Sequence, residues 1–254
     1  MSYGILYDST QCIGCEACMY ACREKNGLPE NEQHKLSDKN YTVVKTTKDD
    51  VYYRRQCMHC QEPACASVCP VGALEKTPEG PVTYDPDKCM GCRYCMVSCP
   101  YNVPKYTWGS ANPVVSKCQM CYDRIAEGKL PACADVCPTG ATLFGDRDEL
   151  IKEAHKRIND NPDQYYPHLY GEKEAGGTSV MYLASVPFVE FGLKSEGYDK
   201  PFPDYTWQAM KEIPAVVATG GIFLYGLWWL INRRMEIEKG TLTEMSESKE
   251  EHDG

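Results

Sequence analysis

Residues 89–100 read CMGCRYCMVSCP, and this C-x2-C-x2-C-x3-C-P spacing restricts the fold more than any other feature of the chain. Three thiols two residues apart wrap one corner of a cubane iron–sulfur cluster. The fourth is carried off along a short helix to a second cluster, and the proline then turns the chain away. Such a run cannot be filled alone; its last thiol needs a cluster whose other ligands come from elsewhere. The chain supplies three further runs. Cys12, Cys15, Cys18 and Cys22 keep the same spacing but have Arg23 in place of the proline. Cys57, Cys60, Cys65 and Cys69 are widened in the middle, and Cys118, Cys121, Cys133 and Cys137 have an eleven-residue middle gap.

Sixteen cysteines in 254 residues admit two other readings. Disulfide scaffolds belong to short secreted domains, which this chain is not. Structural zinc uses two C-x2-C pairs separated by a longer loop, a pattern that the fourth run alone resembles; the compact runs crowd four sulfurs too closely along the chain for one tetrahedral ion. Four [4Fe–4S] clusters are therefore expected. CPVGA at 69–73 is echoed by CPTGA at 137–141, the mark of an internal duplication.

The second and third runs are neighbours and make one module; the first and fourth make another around it. By the crossing rule, Cys12, Cys15, Cys18 and Cys137 hold cluster 1, and Cys118, Cys121, Cys133 and Cys22 hold cluster 2. Cys57, Cys60, Cys65 and Cys99 hold cluster 3, and Cys89, Cys92, Cys95 and Cys69 hold cluster 4. Pairing the first run with the second, and the third with the fourth, is the alternative left open by connection rules. The expected fold class is α+β: two fused bacterial 2[4Fe–4S] ferredoxin-like modules, one inserted in the other, plus a C-terminal transmembrane helix. The outer module takes 1–56 and 104–145, with an insertion, and the inner one 57–103.

Alternation predicts strands over 2–7, 41–46, 51–54 and 179–183. A helix is predicted over 146–160, N-capped by Asp146, with Leu150, Ile151, Ala154 and Ile158 on one face and His155 at the surface. Residues 161–212 read as irregular. The stretch 213–231, IPAVVATGGIFLYGLWWLI, is uncharged and at 1.5 Å per residue spans about 28 Å, enough for a bilayer core. Gly220, Gly221 and Gly226 suit close approach of a partner helix, and 232–254 reads as a disordered acidic tail. Arg233 and Arg234 after the span place the tail in the cytoplasm and the cluster domain outside, against a modest counterweight from Lys194, Lys200 and Lys211. MSYGILYDST has neither a basic n-region nor a twin-arginine pattern, so export is expected to depend on a partner.

Acids outnumber bases by 36 to 27, and no basic stripe points to nucleic acid. There is no Gly-rich dinucleotide fingerprint and no nucleophile elbow, and a span without histidine cannot itself ligate a b-type haem. Substrate chemistry is thus expected on partners, with no catalytic centre here. Lys88, Arg93, Lys105, Lys117 and His59 sit beside candidate ligands, either as groups that tune the clusters or as solvated or packing residues.

YDSTQCIGC at 7–15, RRQCMHC at 54–60, GCRYCMVSCPYNVPKY at 91–106, LPACADVCPTGA at 130–141 and YYPHLYGEKEAGGT at 165–178 resemble the four-cluster iron–sulfur subunits of membrane-bound respiratory oxidoreductases. The likeness covers nearly the whole chain and is greatest to the hydrogenase-2 branch. CYDRIAEGKLPAC at 121–133 and GGTSVMYL at 176–183 resemble the formate dehydrogenase-N beta branch. The resemblance implies crossed ligation, a periplasmic cluster domain on a single-pass anchor in the inner (cytoplasmic) membrane, and a membrane-anchored hetero-oligomer. It implies two partners: a catalytic subunit (nickel–iron hydrogenase, or molybdenum/tungsten formate dehydrogenase) and an integral-membrane quinone or haem b subunit. Alternatives are the subunit of a molybdopterin reductase of polysulfide or dimethyl sulfoxide type with reversed electron flow, or a diffusible ferredoxin-like carrier.

Overall fold

The computed structural model describes residues 2–30, 33–109, 114–194 and 199–250, with side chains through 239. The chain divides into two compact units, Met1–Asp204 and Tyr205–Gly254. In the first, β1 (Tyr3–Asp8) leads into the first cysteine run, whose last two thiols lie on α1 (Ala17–Lys25). β2 (Val43–Thr46) and β3 (Tyr52–Arg55) pair antiparallel and deliver the chain to Cys57. Cys65 rides on α2 (Ala64–Ser67). The antiparallel pair β4 (Leu74–Lys76) and β5 (Val82–Tyr84) then folds the chain back, and Cys95 follows on α3 (Tyr94–Ser98). After the short pair β6 (Lys105–Tyr106) and β7 (Val115–Ser116) come α4 (Tyr122–Ala126), α5 (Ala132–Asp135) with Cys133, and β8 (Thr142–Asp146). The unit continues through α6 (Arg147–Asp160) and β9 (Val180–Leu183).

β1 is the central strand of a three-stranded sheet. It runs antiparallel to β8, Tyr3 opposite Asp146 through Tyr7 opposite Thr142, and parallel to β9, Ile5 opposite Val180 through Asp8 opposite Leu183. A strand covered on both faces must be apolar on both, and side chains alternate between them. Ile5 and Tyr7 accordingly enter the larger core with Val180 and Tyr182. Leu6 turns the other way with Met181 and Leu183, where α6 lays down Leu150 and Ala154. Asp146 caps α6 as expected: its Oδ1 accepts from the N–H groups of Asp148 at 3.0 Å and Glu149 at 3.2 Å. Truncating Leu6 to alanine is worth about 2–5 kcal/mol on the usual core scale.

The segment between α6 and β9 is an ordered wrap. Asp8, buried on β1, accepts from Thr10 Oγ1 at 2.6 Å, Tyr165 Oη at 2.8 Å and Arg157 Nη1 at 2.9 Å. Further on, the N–H groups of Ser179 and Val180 donate to the carbonyls of His59 and Met58 at 3.0 and 3.1 Å, so the wrap holds the turn between Cys57 and Cys60. Two expectations change. Within the stretch read as irregular, α7 (Phe202–Met210) forms; Pro203 in its first turn has a fixed φ suited to starting a helix. The final helix, α8 (Ile213–Glu250), does not stop at 231 but continues through the segment read as a disordered tail. Glu, Lys, Met and Leu there are good helix formers, and Arg234 pairs with Glu238 at 3.2 Å one turn apart. Among the described residues, Phe202–Lys239 is long and apolar enough to cross a membrane, and its apolar part is unburied.

The wrap contains a pH-sensitive contact, His168 Nε2 to Glu174 Oε1 at 2.5 Å. The hydrogen bond to Glu174 raises the His168 pKa above its usual 6.5 despite burial. Burial opposes ionisation of Glu174, but His168 and the Gly171 N–H outweigh it and hold the carboxyl below 4.5. The contact therefore stabilises fully in the window between, fading as pH rises through the raised His168 value or falls through the depressed Glu174 value. We expect His168→Gln to flatten the decline of the unfolding midpoint on the alkaline side of the ordinary histidine range, by less than about 1 kcal/mol because the imidazole is half-exposed. An unchanged alkaline limb contradicts this.

Candidate metal centres

All sixteen thiols are free of disulfides. They gather in sets drawn from separate runs. Cys12, Cys15, Cys18 and Cys137 line one small cavity. Cys69, Cys89, Cys92 and Cys95 line a second. Cys22, Cys118 and Cys121 line a third, and Cys133 lies within electrostatic reach of all three. Cys60 is surrounded by Cys57, Cys99 and Cys65. The β1–β8 ladder brings the first and fourth runs together, and the β4–β5 pair does the same for the second and third. Neighbouring sets also feel one another: Cys18 senses Cys133, Cys118 senses Cys57, and Cys65 senses Cys95.

Among the described residues no three His, Cys, Asp or Glu side chains gather closely enough to hold a single metal ion. Thiolates around a cubane stand farther apart than around one ion, and this spread fits a cluster. The backbone fits it as well. In every run the residue before the second cysteine is left-handed: Gly14, His59, Gly91 and Met120. The turn directs the loop around a compact guest. Two of these positions are not glycine, and holding a bulky side chain there costs about 1–3 kcal/mol each. Both are locked by burial, with His59 at 0% and Met120 at 1% exposure.

A second repeated turn follows the closing cysteines. Gly72, Asn102 and Gly140 are each left-handed, three residues after Cys69, Cys99 and Cys137. Burial would raise the Cys69 thiol, but amides of Leu74, Val71, Ala73 and Gly72 outweigh it and hold the pKa below the usual value. Cys137 is lowered likewise, against burial, by the amides of Thr142, Thr139 and Ala141 and the Thr139 hydroxyl. CPVGA and CPTGA make this turn with glycine; CPYNV makes it with asparagine, which tolerates that conformation better than most residues. Where a thiol is raised instead, burial dominates. It pushes Cys22 and Cys65 up to about 12 and Cys18 and Cys95 up to about 11, with Cys60 and Cys118 well above the usual value. Buried thiols so close together stay protonated unless a cation offsets their charge; iron does that on binding and releases the protons.

The candidate tuning groups separate by position. Lys117 is 3% exposed and donates to the carbonyls of Val82 and Cys118, within reach of Cys65. His59 is buried and held neutral by burial and by Lys117 and Lys76; its Nδ1 accepts from the Val82 N–H at 2.8 Å. Arg93 lines the Cys89 cavity, its guanidinium 4.4 Å over the Trp108 ring. Lys105 donates to Asn102, and Lys88 pairs with Asp85 at the surface. Two cations went unread in the sequence. Lys76 reaches the His59 carbonyl at 3.1 Å beside Cys60 and Cys57, and Arg54 is wholly buried against Cys133 and Cys18. Each sits in a short strand whose alternation alone assigns no inside.

A sequence profile of the 4Fe-4S dicluster domain matches residues 48–147. The chain is 42% identical to the hydrogenase-2 operon protein HybA of Escherichia coli O157:H7, over 76% of this chain and 73% of that one. It is 34% identical to the nitrate-inducible formate dehydrogenase iron–sulfur subunit of Escherichia coli K12, over 75% and 72%. To the B subunit of the anaerobic dimethyl sulfoxide reductase of the same strain it is 40% identical, over 59% and 77%. Fold and site thus define a ferredoxin-type protein built for [4Fe–4S] clusters. More narrowly, the chain belongs to the family of iron–sulfur electron-transfer subunits of respiratory oxidoreductase complexes. It carries four clusters and no catalytic centre of its own.

The closing turn yields a test. Asn102→Gly should leave iron retention unchanged, since glycine takes the left-handed conformation freely. Asn102→Val should cost about 1–2 kcal/mol and hasten loss of the visible iron–sulfur absorbance in air several-fold. Equal bleaching of the two variants contradicts the assigned role of the turn.

Proposed function

We propose that this chain relays electrons between a catalytic subunit of hydrogenase or formate dehydrogenase type and a quinone-reactive membrane subunit. When bound, each cluster takes up and releases one electron. The observation that carries this reading is the succession of thiol sets, each in electrostatic reach of the next, from Cys12 and its partners to Cys89 and its partners. The ligand sets are Cys12, Cys15, Cys18 and Cys137; Cys22, Cys118, Cys121 and Cys133; Cys57, Cys60, Cys65 and Cys99; and Cys69, Cys89, Cys92 and Cys95. They imply an inner module over 57–103 inserted between the halves of an outer one, 1–56 and 104–145.

The polypeptide's part is to hold these sites in order, exclude water and set the charge around each sulfur. The apolar helix anchors the chain in the membrane beside a partner helix, with the cluster domain on the periplasmic side; Arg233 and Arg234 just beyond the apolar stretch support that orientation. The 40% identity to the dimethyl sulfoxide reductase subunit favours a second reading, the same relay run in the opposite direction beside a molybdopterin reductase.

Purification in mild detergent should bring a larger catalytic chain with this one, at about sixteen irons per copy of this subunit. Crossed ligation makes a sharper forecast. Cys22→Ser and Cys121→Ser should perturb the same electron paramagnetic resonance signal, although the residues lie in different runs. Were Cys22→Ser to share its signal with Cys60→Ser, the first run would pair with the second and the proposed modules would be wrong.

A further inference from the structure

Arg54 is the largest fully buried side chain, at 0% exposure. It projects inward from β3, three residues before Cys57, in a strand whose neighbour Arg55 instead reaches the carbonyls of Tyr101 and Phe191. Its Nη1 donates to Thr142 Oγ1 at 3.0 Å, and the guanidinium carbon lies 5.1 Å from the centre of the Tyr7 ring. Among the described residues, Nε and Nη2 find no hydrogen-bond partner. The groups that draw on its charge are Cys133, Cys18, Tyr182 and Tyr7, with no carboxylate among them.

A guanidinium buried without an anion costs several kcal/mol, and unpaired N–H groups add to that cost. The Thr142 hydroxyl and the Tyr7 ring offset part of that cost. Cys18 and Cys133, however, belong to two different thiol sets, and Arg54 interacts with both. On the reading given under Proposed function, each set surrounds a cluster of net negative charge. The buried cation and the two anions then compensate one another, and the unpartnered N–H groups meet sulfur acceptors.

We propose that Arg54 is the shared counter-cation of clusters 1 and 2, donating Nε–H and Nη2–H toward their sulfurs. A fixed positive charge there favours the more negative, reduced form of both neighbours, so Arg54 raises both reduction potentials together. Cluster 3 has other cations beside it, half-buried Lys76 and buried Lys117.

The test is a redox titration of the intact, cluster-loaded subunit followed by electron paramagnetic resonance, with Cys15→Ser and Cys121→Ser used to assign signals. In Arg54→Met, the reduction equilibria of clusters 1 and 2 should each shift at least tenfold toward the oxidised form, about 59 mV for a one-electron couple. The other two should stay in place, and Arg54→Lys should restore part of the shift. Unchanged potentials, or equal movement of all four, overturn the proposal. If Arg54→Met loads less iron than wild type, selective absence of clusters 1 and 2 supports it, whereas loss of all four shows a merely structural role and overturns it. Wild-type protein without iron would instead overturn the cluster reading on which this inference rests.

Discussion

The withdrawal from water of sulfurs drawn from distant stretches of chain governs this structure. Thiols from distant stretches of chain are brought together, and for half of them burial raises the cost of ionisation, with their companions adding to it. A site of this kind is useful only to a guest that supplies positive charge and tolerates widely spaced sulfur ligands. Iron in a cubane does both, and a single zinc ion fails the second condition. The backbone is built around the same demand. Left-handed turns bend each run into a cup, and the amides that follow Cys69 and Cys137 point at thiolates that must carry charge.

The sheet explains how the cups stay aligned. β1 and β8 flank the first and last runs and are laddered together, so the two ends of the cysteine pattern meet although they lie more than a hundred residues apart. β9 closes the other edge of β1, and the wrap before it ties the Cys57–Cys60 turn to the same sheet. The apolar alternation Ile5, Leu6, Tyr7 therefore does two tasks: one face lies against the cluster-bearing core and the other seats α6.

Much of this was legible in the sequence. Fixed cysteine spacing is a local code, and the repeated CPxGA stretch marks an internal duplication. β1, the N-capped α6 and its Leu150–Ala154 face follow from short-range rules. What escaped depends on context beyond a few residues. RR at 54–55 does not say which arginine turns inward, yet the position of β3 sends Arg54 into the interior. Lys76 occupies a three-residue strand, too short for alternation to assign an inside. Asn102 hides a turn that the equivalent positions 72 and 140 make with glycine. The segment after 231 is charged and looks unable to pack, but its residues favour a helix, and an apolar helix already nucleated upstream extends through them.

The central claim is that each cluster takes three sulfurs from one run and a fourth from another. Anomalous diffraction at the iron edge, from crystals of the intact subunit in its complex, tests it most directly. Crossed ligation predicts four iron peaks in file, with Cys137, Cys22, Cys99 and Cys69 each closing a site founded on a different run. Peaks enclosed by a single run each, or zinc in their place, would contradict it.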